Sequence, residues 1–181
     1  MGSNTAADTP HPSNATDFQF PDDLISEEVQ QALPPAHLVR PLHIDDHEKG
    51  FLPLLGQLSS VGNVTKEMFR ERFHWLQQRN DTHYTLVIED VDKGKVVGAG
   101  SLLLDHKFLH ENGIAAHIED IVVDEETRGK SLGKWIIKAL VHIADERKAY
   151  KVILNCAQDK IGFYEKCGFK PKSTMMASYR T

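Results

Sequence analysis

HIEDIVVDEETRGKSLGKWIIKAL, His117 to Leu140, is the stretch whose reading decides the fold. Ile118 to Val123 is a short apolar run interrupted by Glu119 and Asp120, which predicts a strand. Asp124 to Thr127 is polar, and Arg128-Gly129-Lys130-Ser131-Leu132-Gly133 leads into a helix. Leu132, Trp135, Ile136, Ala139, Leu140 and Ile143 recur at i, i+3, i+4 and i+7, so one helical face is apolar. A turn at that point aims backbone N–H groups, unused by the helix, at a positive helix end. Arg128, Lys130 and Lys134 add full charges there. Such a place binds a phosphate or pyrophosphate. Gly129-Lys130-Ser131 also spells the end of a P-loop, but that motif needs glycine where Asp124 stands.

Working outward, Val152 to Cys156 follows the helix as another strand, so the unit around residues 131 to 148 places its two strands parallel. Upstream, Leu38 to Leu42 reads as a first strand. Asp45 or Asp46 is expected to cap a helix running to about Leu58, and Thr65 a second one in which Met68, Phe69, Arg72, Phe73 and Leu76 follow helical spacing. Thr82 to Glu89 and Lys95 to Leu104 flank Asp92-Lys93-Gly94, a hairpin turn. Small residues at Gly98, Ala99 and Gly100 leave room for something to pass close over that strand. Lys160 to Cys167 is a short helix closed by Gly168, and Ser173 to Arg180 reads as a last strand. The order is β-α-α-β-β-β-α-β-α-β. Residues 1 to 36 read as a flexible tail, apart from an apolar anchor at Phe18, Phe20, Leu24, Ile25 and Val29 with a short helix capped by Ser26. Residues 37 to 181 form one domain.

The chain has 181 residues, a length that suits one domain. Its net charge of -5 argues against a nucleic-acid partner, because the basic groups are local. No apolar run approaches the ~20 residues of a membrane span, and no secretory segment opens the chain. A cytoplasmic location is expected. The two cysteines, Cys156 and Cys167, have no metal-ligand spacing and read as free thiols. His106 and His110 stand four apart on a strand or turn, where that spacing does not gather a metal. No metal is expected.

The turn resembles the GNAT superfamily of acetyl-CoA-dependent N-acetyltransferases, whose pyrophosphate loop runs Q/R-x-x-G-x-G/A. Here it is Arg128-x-x-Ser131-x-Gly133. Ser131 replaces the usual glycine and disfavours a positive φ. Five further strings narrow the resemblance to the glucosamine-6-phosphate N-acetyltransferase family within it. They are KFLH at 107 to 110, HIED at 117 to 120, YKVILNC at 150 to 156, GFYEKCGF at 162 to 169 and a near-terminal arginine. The resemblance implies an α/β (α+β) fold with a mixed central sheet of about six to seven strands flanked by helices. It implies acetyl transfer from acetyl-CoA to the 2-amine of glucosamine 6-phosphate, by a homodimer whose active site is shared between subunits. Alternatives are another amine acceptor, such as a polyamine, peptide or lysine, or a non-catalytic acetyl-CoA-binding module.

Site residues follow from the same resemblance. Residues 129 to 134, with Leu132 and Gly133 among them, hold the pyrophosphate, and Ile121, Val122 and Val123 pair with the pantetheine arm like an added strand. Tyr164 protonates or hydrogen-bonds the departing sulfur. Glu119, Asp120 and Ile121 line the sugar site, and the amine proton is expected to go to a backbone carbonyl, water or Glu119. As neighbours on a strand, Glu119 and Asp120 are expected on opposite faces. Lys107, Phe108, Leu109, His110 and Arg180 are placed at the sugar phosphate, and Ser59, Tyr150 and Lys151 at the same substrate. Asn155 stands where the family carries an acidic residue. It is counted with the catalytic and cofactor positions, although an amide cannot act as a base at neutral pH.

Overall fold

The computed structural model describes residues 17–179. Five strands form one sheet in the order β1-β2-β3-β4-β5. They are β1 (His37–Pro41), β2 (His83–Asp90), β3 (Lys95–His106), β4 (Ile114–Val123) and β5 (Ala149–Leu154). The first three pairings are antiparallel, and β4 with β5 is parallel. The sheet is therefore mixed, as expected, with five strands among the described residues rather than six or seven. The missing strand is Ser173–Arg180. Residues 171–179 carry no regular structure and stand exposed, and Arg180 lies outside the described residues. A strand exists only where a sheet edge takes its backbone hydrogen bonds, and residues 171–179 form no β-ladder among the described residues.

Helices α1 (Glu27–Ala32), α2 (Phe51–Leu55), α3 (Lys66–Gln77), the single turn α4 (Leu109–Asn112), α5 (Leu132–Glu146) and α6 (Ile161–Glu165) complete the chain. Ser26 and Thr65 cap α1 and α3 through Val29 N and Met68 N. Asp46 does not cap a helix. It is buried and holds the Arg40 guanidinium at 2.7 and 2.8 Å, while Glu89 takes Arg40 Nε at 2.8 Å. The chain turns through Asp45 to Gly50 instead, so α2 starts late and ends early, at Leu55.

The core lies on both faces of the sheet. On one, α5 buries Leu132, Ile136, Ala139, Leu140 and Ile143 against Leu86, Ile88 and Leu102. Phe20, Val29 and Leu33 belong to that cluster, so the apolar anchor before β1 is part of the core. What passes close over β3 is α5 itself. A Cβ on Gly100 would meet Ile121 Cδ1 at 2.5 Å and Ile136 Cγ2 at 2.7 Å. On the other face, α2 and α3 cover Val87, Ala99 and Val122 with Phe51, Leu54, Phe69 and Phe73.

Candidate active site

The parallel pair parts early. The β4–β5 register ends at Ile118 opposite Leu154, yet β4 continues to Val123. Beyond Ile118 the β5-facing backbone of β4 meets no strand among the described residues. Ile121, Val122 and Val123 thus present an open edge, suited to an extended chain that adds as a strand. Asn155 and Cys156 lie just past the end of β5 rather than within it.

The basic turn follows directly. Asp124 anchors it: its backbone N–H donates to Val97 O at 2.9 Å, its Oδ1 accepts from Glu126 N at 3.0 Å, and its Oδ2 takes Lys95 Nζ at 2.7 Å. Lys95 holds the Asp124 carboxyl below the usual carboxylate range, and its ammonium neutralises the charge that an anion at the turn would otherwise meet. Arg128, Gly129, Lys130 and Ser131 are exposed. Gly129 has φ +91°, which its missing Cβ permits. Ser131 adopts φ 59° and ψ 19° despite its side chain, at a strain of about 1 kcal/mol. The loop therefore keeps a left-handed bend at the position where glycine is usual. The first helical bond runs from Lys134 N to Ser131 O at 3.1 Å, which leaves the N–H groups of Leu132 and Gly133 ahead of it. Arg128, Lys130 and Lys134 have no ion-pair partner among the described residues.

Gly133 faces α6, where a Cβ would stand 3.3 Å from Phe163 Cζ. Next along α6, Tyr164 is half-buried and packs edge-on to Phe163 and Phe169. Gly168, at φ +94°, ends that helix, and Phe169 N reaches back to Tyr164 O at 3.1 Å. Burial pushes the Tyr164 hydroxyl up, and the thiols of Cys156 and Cys167 push the same way. The phenol is therefore protonated at neutral pH and able to give a proton. Burial raises the Cys167 thiol as well, so it is no ready nucleophile.

Glu119 and Asp120 correct the expectation of opposite faces. Ser101 pairs with Glu119, and Ala99 with Val122, so Asp120 and Ile121 together oppose Gly100. This is a β-bulge, and Asp120 sits in it at φ 55°. Ile121 turns toward α5 against Gly100, while Asp120 lines the same α3-side cavity as Ser101. Cross-strand partners share a face, so Glu119 goes with Ser101 and both carboxylates stand on one side. An isolated glycine in a strand signals either a bulge or a close approach, and Gly100 serves both.

Farther along that edge, Lys107 pairs with Asp105 and holds its carboxyl low. His117 Nε2 is 4.0 Å from the same carboxylate. Lys107 N donates to Gly113 O at 2.9 Å, closing a loop in which His110, Glu111 and Asn112 all have positive φ. His110 stacks on Tyr150 with centroids 4.1 Å apart, and Lys151 Nζ lies 5.4 Å from that ring. The structure thus joins Lys107, His110, Tyr150 and Lys151 in one patch. Phe108 and Leu109 project into solvent beside it. Ser59 sits in a different loop, just after α2, with its N–H on Leu55 O. No group of three or more His, Cys, Asp or Glu able to hold a metal occurs among the described residues.

An open strand edge running into an anion-binding helix start, with a protonated tyrosine beside it, suits a thioester on a long phosphorylated carrier. The sequence profile of the acetyltransferase (GNAT) family matches residues 43–169. The chain belongs to the GNAT acetyltransferase family. Members use acetyl-CoA as co-substrate, and the residues just described fit it. This GNAT chain is 45% identical over 141 residues to a glucosamine 6-phosphate N-acetyltransferase of Arabidopsis thaliana, covering 78% of this chain and 95% of the relative. It is 43% identical over 144 residues to glucosamine 6-phosphate N-acetyltransferase 1 of Oryza sativa subsp. japonica, covering 80% and 87%. The crystal structure of the Arabidopsis thaliana glucosamine-6-phosphate N-acetyltransferase matches at TM-score 0.78 and 44% identity, over 79% of this chain and 97% of that one.

Proposed function

We propose that this enzyme transfers acetyl from acetyl-CoA to the 2-amine of D-glucosamine 6-phosphate, giving N-acetyl-D-glucosamine 6-phosphate and CoA. The observation that carries the reading is the parting of β4 from β5 beside the basic turn, in a chain whose relatives bear that name at above 40% identity. The backbone of Ile121 to Val123 takes the pantetheine arm, and the N–H groups from Gly129 to Gly133, with the Lys134 side chain, take the pyrophosphate. The neutral amine attacks the thioester carbon directly, the C–S bond breaks, and Tyr164 gives its proton to the leaving sulfur; the new amide nitrogen gives up its extra proton through water, which restores the phenol. The ammonium form must first lose a proton. Asn155 cannot take it, so Glu119 receives it, directly or through water.

On the acceptor side, Glu119 and Asp120 face the sugar, and Lys107 and His110 face its phosphate. Tyr150, Lys151, Ser59 and Arg180 complete the substrate set. We place this enzyme in the cytoplasm as a homodimer with a shared site. The support is chemical: Met175, Met176 and Tyr179 stand exposed in a segment whose faces alternate, and Ile153 stands exposed on β5. Strand exchange joins such surfaces at low cost.

A thiol-release assay tests the function. CoA is expected to appear with glucosamine 6-phosphate and not with spermidine or a peptide amine; the reverse preference overturns the acceptor. The shared site has a separate test. Arg180→Ala mixed with Tyr164→Phe is expected to recover toward half of wild-type activity as subunits exchange. No recovery in confirmed mixed dimers places Arg180 elsewhere.

A further inference from the structure

The α3-side face of the sheet holds a cavity of about 420 Å³, within the ~300–1,000 Å³ of small-molecule sites. Its walls are apolar, with Phe51, Leu55, Phe69, Phe73, Leu76 and Leu103 prominent. Thr85 and Ala99 form a buried floor, while Met68 and Arg72 are exposed, so the cavity opens along α3. The donor groove is elsewhere, between β4, α5 and α6.

The rim is cationic. Arg72 Cζ lies 5.3 Å from the Trp75 ring, and Arg79 Cζ lies 4.0 Å from it. Neither guanidinium has an ion-pair partner among the described residues. His83 also lines the cavity, with its ring 5.3 Å from Trp75. Burial lowers its pKa, so the charge at the rim is that of Arg72.

We propose that this cavity binds an anionic amphiphile, a medium-chain fatty carboxylate, with its hydrocarbon among the phenylalanines and its carboxylate on Arg72. The choice of occupant follows from charge and polarity together. Apolar walls select a hydrocarbon and penalise a sugar, whose hydroxyls would lose their hydrogen bonds there. An unpaired guanidinium selects an anion, and its planar fork matches a carboxylate. Asp120 lines the same cavity. A bound chain therefore raises the KM for the amine acceptor and leaves acetyl-CoA affinity unchanged. That consequence rests on the function proposed above; binding itself does not.

The test is a titration of decanoate, below its micelle concentration, into the full chain without acetyl-CoA or acceptor. Calorimetry and Trp75 fluorescence give the readout, with decanol and decylamine as neutral and cationic probes. Saturable binding of one decanoate per chain is expected, weakened roughly 10-fold by Arg72→Glu, as for the loss of a charged hydrogen bond. Leu76→Trp fills the space and is expected to abolish binding. Met68→Trp does the same from the exposed side if Leu76→Trp fails to fold. The proposal is overturned if binding does not saturate. It is overturned equally if decanol binds as well as decanoate and Arg72→Glu changes nothing. Self-association lost on Leu76→Trp, without decanoate binding, assigns the cavity to a second copy and overturns it too.

Discussion

The two faces of the sheet are built to different standards. On the α5 face, Gly100 brings the helix down until an added Cβ would stand 2.7 Å from Ile136 Cγ2. On the α3 face, a single register earlier or later, there is a cavity of about 420 Å³ and a strand broken by a bulge. The tight face fixes the start of α5, and with it the backbone N–H groups proposed for the donor's phosphates. The loose face carries the side-chain carboxylates proposed for the acceptor. Close packing positions a backbone site to a fraction of an ångström, whereas a side-chain site tolerates slack because its groups can rotate.

The largest effect expected concerns chemistry at the tight face. Tyr164→Phe keeps the ring against Phe163 and Phe169 and removes only the hydroxyl, so kcat is expected to fall by roughly 10²–10⁴ with acetyl-CoA affinity preserved. A change within about twofold, with chemistry shown to be rate-limiting, makes Tyr164 a packing residue. Next in size is a paired substitution of neighbours on opposite faces. Gly100→Val drives methyl groups into Ile121 and Ile136 and is expected to cost about 1–3 kcal/mol in denaturant unfolding. Ser101→Val points into the cavity and is expected to cost less; equal losses would erase the contrast between the faces. The smallest effect is electrostatic. Asp124 is held low by Lys95, so its contribution to stability is fully present above the usual aspartate pKa of about 4. It is lost as pH falls through the depressed folded value. Lys95→Met is expected to remove that part of the acid dependence, measured as unfolding midpoints across the acid range.

These faces also differ in how far the sequence discloses them. The α5 face was legible because packing writes a period: Leu132, Ile136, Ala139, Leu140 and Ile143 are spaced as one helical stripe, and all are buried. The basic turn was legible for the same reason, since charge and glycine mark a helix start. The bulge was not. Period-2 alternation sent Glu119 and Asp120 to opposite faces, and only the pairing with β3 shows that Asp120 adds a residue to the strand. Asp46 was misread because a carboxylate before a helix looks like a cap, while its true partner, Arg40, sits on β1. The last strand failed on a different ground. Its alternation from Ser173 onward is real, but alternation names a strand and not the edge that accepts it.

The division of labour between the faces is tested most directly by one calorimetric comparison. Acetyl-CoA is titrated into two folded variants, Gly133→Trp at the start of α5 and Asp120→Asn in the bulge, where asparagine tolerates the left-handed backbone. The account predicts that Gly133→Trp no longer binds acetyl-CoA, because the indole occupies the space before Phe163 that the pyrophosphate approaches. It predicts that Asp120→Asn binds acetyl-CoA as the wild type does, its defect confined to the acceptor. Retained affinity in Gly133→Trp, or lost affinity in Asp120→Asn, contradicts the assignment of donor and acceptor to the two faces.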